Sequence, residues 1–216
     1  MEELKESVVN FINNYSKYKV ALDLFQKEAE IVYLLNKSIE EISSHIPLSP
    51  ELEFFYSNFE ISGPIRKDGY ELKNVNIDIG NATIYLSEPA NLYNRQLGFR
   101  WIGGPPYKED PRWNQSWVVI ADKDDDPIIV DTSQRNSPVL ASYETSEVFY
   151  ISDSLHRFFE AISVVLEVIY KNFSGEIMDP ETFDIKNDFI AVLEEELIKV
   201  LNNEEHVSNF MNYLYG

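Results

Sequence analysis

Apolar positions in the first third of the chain fall at Leu4, Val8, Phe11, Tyr15, Tyr18, Leu22, Phe25, Ala29 and Val32. This 4-3-4-3 spacing puts one stripe on one face of a helix. No glycine or proline interrupts Met1 to Ile46, and Ile31, Leu34, Leu35, Ile39, Ile42 and Ile46 carry on a shifted apolar face. The pattern predicts one long helix or two consecutive ones, with Asn10, Asn13, Asn14 and Ser16 as the weak stretch. Such a stripe suits either a dimer seam or packing on the chain's own core. The aromatic side chains at several seam positions favour the core. Pro47 ends the segment. Ser49-Pro50-Glu51 then reads as a helix start, with a serine cap, proline at the first helical position and acid in the first turn.

From Ile61 the period shifts towards two. Val75, Ile77 and Ile79 alternate with Asn76 and Asp78, Gly80-Asn81 reads as a turn, and Ala82 to Leu86 as the returning strand. Ser87-Glu88-Pro89-Ala90 starts a short helix to about Gln96. Four further β-rich runs follow at Trp117–Ile120, Pro127–Val130, Val139–Tyr143 and Val148–Ile151. Asp122 to Asp126 reads as a turn between the first two, and Asp131-Thr132-Ser133 closes the second. The short connections predict an antiparallel meander. A helix from Ser152 or Asp153 carries Leu155, Phe158, Phe159, Ile162, Val165, Leu166 and Ile169. Asp179-Pro180-Glu181 reads as the start of another helix, through Phe189, Leu193 and Leu197, and Val207 to Leu214 as a last one. The expected fold class is α+β, a mixed, mostly antiparallel sheet backed by helices, with extra helices at both termini.

The chain has 216 residues, enough for one sizeable core, and no run approaches the length of a membrane span. Its first residues, MEELKESVV, are acidic and lack the layout of a secretion signal, so the expected location is cytoplasmic. It contains no cysteine, which removes disulfides, thiol catalysis and zinc–sulfur sites. The net charge is −19, of which −9 falls in residues 151–216. Such a field repels nucleic acid and anionic membrane and favours a basic partner.

Candidate chemistry is sparse. Asp122-x-Asp124-x-Asp126 opens like a calcium loop, but Pro127 and Ser133 stand where glycine and glutamate are required. Asp153, Ser154 and His156 are the residue types of a hydrolase triad, yet lie too close in sequence to converge. His45, His156 and His206 share no metal spacing. Gly103-Gly104-Pro105-Pro106 lacks the lysine of a phosphate loop. Residues 98–116, rich in Gly, Pro, Trp and Arg, form the least regular stretch. They read either as a binding loop or as one that Trp101 and Trp113 anchor to the core. Neither a cofactor, a metal nor an enzymatic activity is expected.

One set of residues carries a resemblance. It comprises Ile46-Pro47, the proline-led helix at Leu48–Phe59, the Trp117–Val130 hairpin, Asp131, and the start Ser152-Asp153-Ser154-Leu155-x-x-Phe158-Phe159. Together they resemble the SUKH superfamily, which includes the fungal Smi/Knr cell-wall assembly regulators and bacterial immunity proteins. Asn58-Phe59-Glu60 stands where that family has an Asn-Gly turn, and Lys123 to Pro127 replaces its glycine-rich hairpin tip. The resemblance covers about Ile39 to Tyr170. It divides the chain into an N-terminal helical extension (1–30), an α+β domain (31–172) and an acidic helical extension (173–216). It implies binding without catalysis, either by an immunity protein that masks a basic, nuclease-type toxin or by a regulatory scaffold. The expected contact residues are Asp122, Asp124, Asp125 and Asp126 at the acidic turn, with Arg100, Trp101 and Tyr107 in the irregular loop. The N-terminal heptads offer a route to a homodimer.

Overall fold

A computed structural model describes residues 1–19, 22–36, 38–143 and 147–216. Helix α1 spans Glu2–Tyr18, and its stripe Leu4, Val8, Phe11 and Tyr15 is buried. The backbone turns extended at Lys19 (φ −58°, ψ 135°) and the helix ends there. Two strands follow, β1 (Phe25–Lys27) and β2 (Glu30–Tyr33), so the helix expected to continue to Ile46 is overturned. Positions 20, 21 and 37 of that predicted helix lie outside the described residues. The reason for the change is tertiary. Ile31-Val32-Tyr33 is a β-branched and aromatic run, and pairing across strands outweighs helical periodicity. Leu22 (51% exposed) and Leu35 (72%), both assigned to the helical face, stand in solvent.

Helix α2 (Pro50–Asn58) starts as its sequence predicts, with Ser49 Oγ accepting from Leu52 N at 3.1 Å. The same hydroxyl meets Ser137 Oγ at 2.6 Å, fastening the helix start to a distant turn. The chain runs straight into β3 (Phe59–Ser62), which pairs with β2 and sets Tyr33 opposite Phe59. Strand β4 (Ile65–Arg66) pairs with β1. Strands β5 (Asn74–Asp78) and β6 (Thr83–Ser87) form the predicted hairpin. Its turn needs Gly80, whose φ is +89° and whose place a Cβ would share with Ile177 Cδ1 at 2.5 Å.

A 3-10 turn at Pro89–Asn91 leads into helix α3 (Leu92–Arg95). Two short strands follow, β7 (Trp101–Ile102) and β8 (Lys108–Glu109). The meander then runs β9 (Trp117–Lys123), β10 (Asp126–Asp131), β11 (Val139–Ala141) and β12 (Phe149–Ser152). The acidic tract is therefore not all turn. Asp122 and Lys123 belong to β9 and Asp126 to β10, because Asp122 has a cationic partner inside the fold. The six-stranded sheet has the order β12-β11-β10-β9-β6-β5, with every neighbouring pair antiparallel. This is the expected α+β architecture.

Helix α4 (Leu155–Glu167) begins two or three residues after the predicted start, with Ser154 at its N-cap position, and continues as a π-helical turn to Asn172. Helix α5 (Asn187–Leu201) begins eight residues later than Asp179, which corrects the predicted start there. Asp179 Oδ1 accepts instead from Glu181 N (2.8 Å) and Thr182 N (3.0 Å), closing a turn. An aspartate before proline satisfies a turn as well as it caps a helix. Helix α6 (Glu204–Tyr215) starts at Asn203, whose side chain accepts from Glu205 N and His206 N.

The core has two parts. Val118, Ile120, Ile128, Val130, Val139 and Ile151 face a large cluster that includes the apolar faces of α1, α4, α5 and α6. That cluster runs through residues 1–30, 31–172 and 173–216 alike. The α1 stripe is buried within it, not presented as a seam. On the other face Val119, Ile129 and Leu140 form a smaller cluster with Phe99, Trp113, Trp117 and Val148. Among the described residues, no helix is long and apolar enough to cross a membrane.

Candidate functional site

The β9–β10 hairpin ends in a two-residue turn, Asp124-Asp125, with φ of +52° and +69°. Positive φ at both positions matches the twist of a tight hairpin, and a short polar side chain tolerates it. Both aspartates are exposed. The base of the tip is held from two sides. Arg95 of α3 pairs with Asp122, and Tyr213 of α6 donates from Oη to the Asp126 carbonyl at 2.7 Å. Lys123 Nζ lies 5.7 Å from the Tyr213 ring centroid and 3.6 Å from Asp124. Burial lowers the Arg95 pKa, while the Asp125 charge raises it. The tip is thus a rigid presentation of carboxylate, because α3 and α6 fix the strand ends from which it projects.

The residues predicted to form the contact surface divide accordingly. Asp124, Asp125 and Tyr107 are exposed and Asp126 is half-buried. Asp122 is buried (4% exposed), so its predicted contact role is corrected to a structural one. Arg100 (8% exposed) and Trp101 (7%) are corrected in the same way. Arg100 donates to Glu109 Oε1 (3.2 Å), to the Gln115 carbonyl (3.2 Å) and to Gln115 Oε1 (2.8 Å). Its guanidinium lies 4.7 Å from the Trp101 ring, which packs on Tyr93 at 4.9 Å. Trp113 donates from Nε1 to the Trp117 carbonyl at 3.2 Å and lies over the smaller core. The tryptophans therefore anchor the irregular loop, the second of its two readings, because a large ring gains most by leaving water.

A second site has no counterpart in the sequence reading. A cavity of about 180 Å³ opens between the end of α1, the segment before β2, the β5–β6 hairpin and the end of α4. Tyr15, Tyr18, Phe25 and Tyr170 supply rings to its wall, and Glu28 and Asp78 supply carboxylates. The Tyr18 and Tyr170 rings stack at 5.2 Å and 12°. Tyr170 Oη donates to Asp78 Oδ2 at 3.0 Å, and Asp78 Oδ1 accepts from Gly80 N at 2.8 Å. Glu28 Oε1 accepts from Leu22 N at 3.1 Å. Burial, then the Glu28 charge, pushes the Tyr15 hydroxyl up to about 12; burial, then the Asp78 charge and hydrogen bond, does the same to Tyr170. The wall is aromatic and electronegative. These residues come from four separated segments, so no local motif could reveal them.

Among the described residues, no group of three or more His, Cys, Asp or Glu side chains is placed to hold a metal ion. Ser154 Oγ donates to Asp153 Oδ1 (3.0 Å) and stands at the start of α4, as a helix-start residue should. No family model, no curated protein and no solved structure matches the chain.

Proposed function

We propose that this chain is a non-enzymatic module that binds a basic protein partner. In the sharper form of this reading it is an immunity protein that covers the cleft of a cationic, nuclease-type toxin. The observation that carries the proposal is the acidic tip. Asp124 and Asp125 project from a hairpin whose base is held by Arg95 on one side and Tyr213 on the other. Preorganised carboxylates lose little freedom on binding, and a net charge of −19 draws a cationic partner in over several ångströms. The SUKH resemblance of the Trp117–Val130 hairpin and of the α4 start supports the same reading.

Charge reversal at the tip tests it. The double variant Asp124→Lys/Asp125→Lys is expected to slow association with the partner about tenfold or more at low salt, and much less at high salt. An unchanged association rate at low salt removes the tip from the interface.

A further inference from the structure

We propose that the cavity between α1 and the β5–β6 hairpin is a binding site for an alkylammonium group. This goes beyond the partner-binding reading and stands or falls without it. Three features on its wall fit that chemistry. The first is the set of rings, Tyr15, Tyr18, Phe25 and Tyr170, whose faces attract a cation through their quadrupoles. The second is charge. Glu28 and Asp78 carry two negative charges against the single ammonium of Lys19 on the same wall, leaving one carboxylate to be balanced. Each carboxylate makes only one or two of the hydrogen bonds it can accept, so an N–H donor finds acceptors there. The third is that one of the chain's own ammonium groups already lies against a ring of this wall. Lys19 Nζ lies 5.8 Å from the Tyr15 ring while donating to the Ala29 carbonyl at 3.0 Å.

A volume of about 180 Å³ admits a butyl chain with its ammonium head. That chemistry is shared by the end of a lysine side chain and by a free aliphatic amine. A neutral alcohol of the same length could still donate one hydrogen bond to a carboxylate, but it carries no charge for the ring quadrupoles or the carboxylates to attract.

The test is a titration of the full chain followed by the ring-proton resonances of Tyr18 and Tyr170. The probes are butylammonium, Nα-acetyl-lysine-N-methylamide and, as the neutral isostere, butanol. Saturable shifts with butylammonium are expected, with a dissociation constant on the order of 1 mM, and no saturation with butanol. Binding of the blocked lysine as well identifies a lysine side chain as the natural occupant. Binding of butylammonium alone identifies a free amine. The isosteric pair Glu28→Gln and Asp78→Asn keeps the acceptors for Leu22 N and Gly80 N, and together they should weaken butylammonium about tenfold or more. Absence of saturable shifts with either ammonium probe, or equal binding of butanol, overturns the site. So does full affinity in the folded double variant.

Discussion

Gln96 completes the ladder of β9 where its neighbouring strand stops. Its Nε2 donates to the Val119 carbonyl at 2.8 Å, and its Oε1 accepts from Val119 N at 2.9 Å. Strand β6 pairs with β9 only at Lys123, Asp122 and Ala121, so a side-chain amide takes the place of the next strand residue. Gln96 is fully buried and also donates to the Leu92 carbonyl. Gln96→Leu would leave Val119 N–H and C=O buried without partners. We expect a loss of about 2–4 kcal/mol in unfolding free energy, measured by denaturant titration. A loss below about 0.5 kcal/mol would show that water replaces the amide.

The Arg95–Asp122 pair predicts a non-additive result. Asp122 is buried and Arg95 is half-buried, so removing one charge strands the other. Asp122→Leu alone is expected to cost about 3 kcal/mol, and adding Arg95→Met should recover more than half of that. Thermal or denaturant unfolding of the four proteins of this cycle reads the coupling. Simple additivity of the two single changes would mean that the pair does not hold the tip.

Glu51 predicts how stability changes with pH. Burial pushes its carboxyl up to about 7; the nearby Glu3 charge adds to this, while the Met1 ammonium and the Leu155 N–H oppose it. The folded chain then holds a proton that the unfolded chain releases at lower pH. The contribution of Glu51 to stability is fully present below the unfolded value and is lost as pH rises towards 7. Screening at this partly exposed site leaves about 1–2 kcal/mol of the effect. Glu51→Gln should flatten stability between about pH 4.5 and 7 and raise the melting temperature at pH 7. A variant as pH-dependent as the parent over that window would contradict the assignment.

Phe183 is the one bulky side chain among the described non-glycine residues of positive φ, at +62°, and it is 75% exposed. The others are Asn and Asp, which tolerate that conformation, and the small residue Ser. Phe183→Asn should therefore stabilise the fold by about 0.5–1 kcal/mol. Chemical denaturation measures it, and a destabilised variant would mean that the ring has a packing role.

Local signals were legible wherever local chemistry decides the structure. Ser49-Pro50 capped α2, Gly80-Asn81 turned the β5–β6 hairpin, and the four apolar runs became β9 to β12. The stripe of α1 was read as core, and Leu4, Val8, Phe11 and Tyr15 are core. Reading failed where a distant partner decides. Residues 25–33 keep helical spacing but pair with β3 and β4. Asp122 looks like a turn residue until Arg95 reaches it, and Arg100 looks like a surface cation until Glu109 and Gln115 enclose it. Of the proposed contact site, the exposed Asp124-Asp125 tip was visible in the sequence. The aromatic cavity was not, since Tyr15, Glu28, Asp78 and Tyr170 meet only in the folded chain.

The most direct test of the central claim is a binding titration of this chain against the protein encoded beside its gene, at low and at high salt. The account predicts binding to a basic partner that weakens about tenfold or more as salt rises, and that inhibits the partner's activity. Absence of binding, or binding that is indifferent to salt and leaves the partner active, would contradict it.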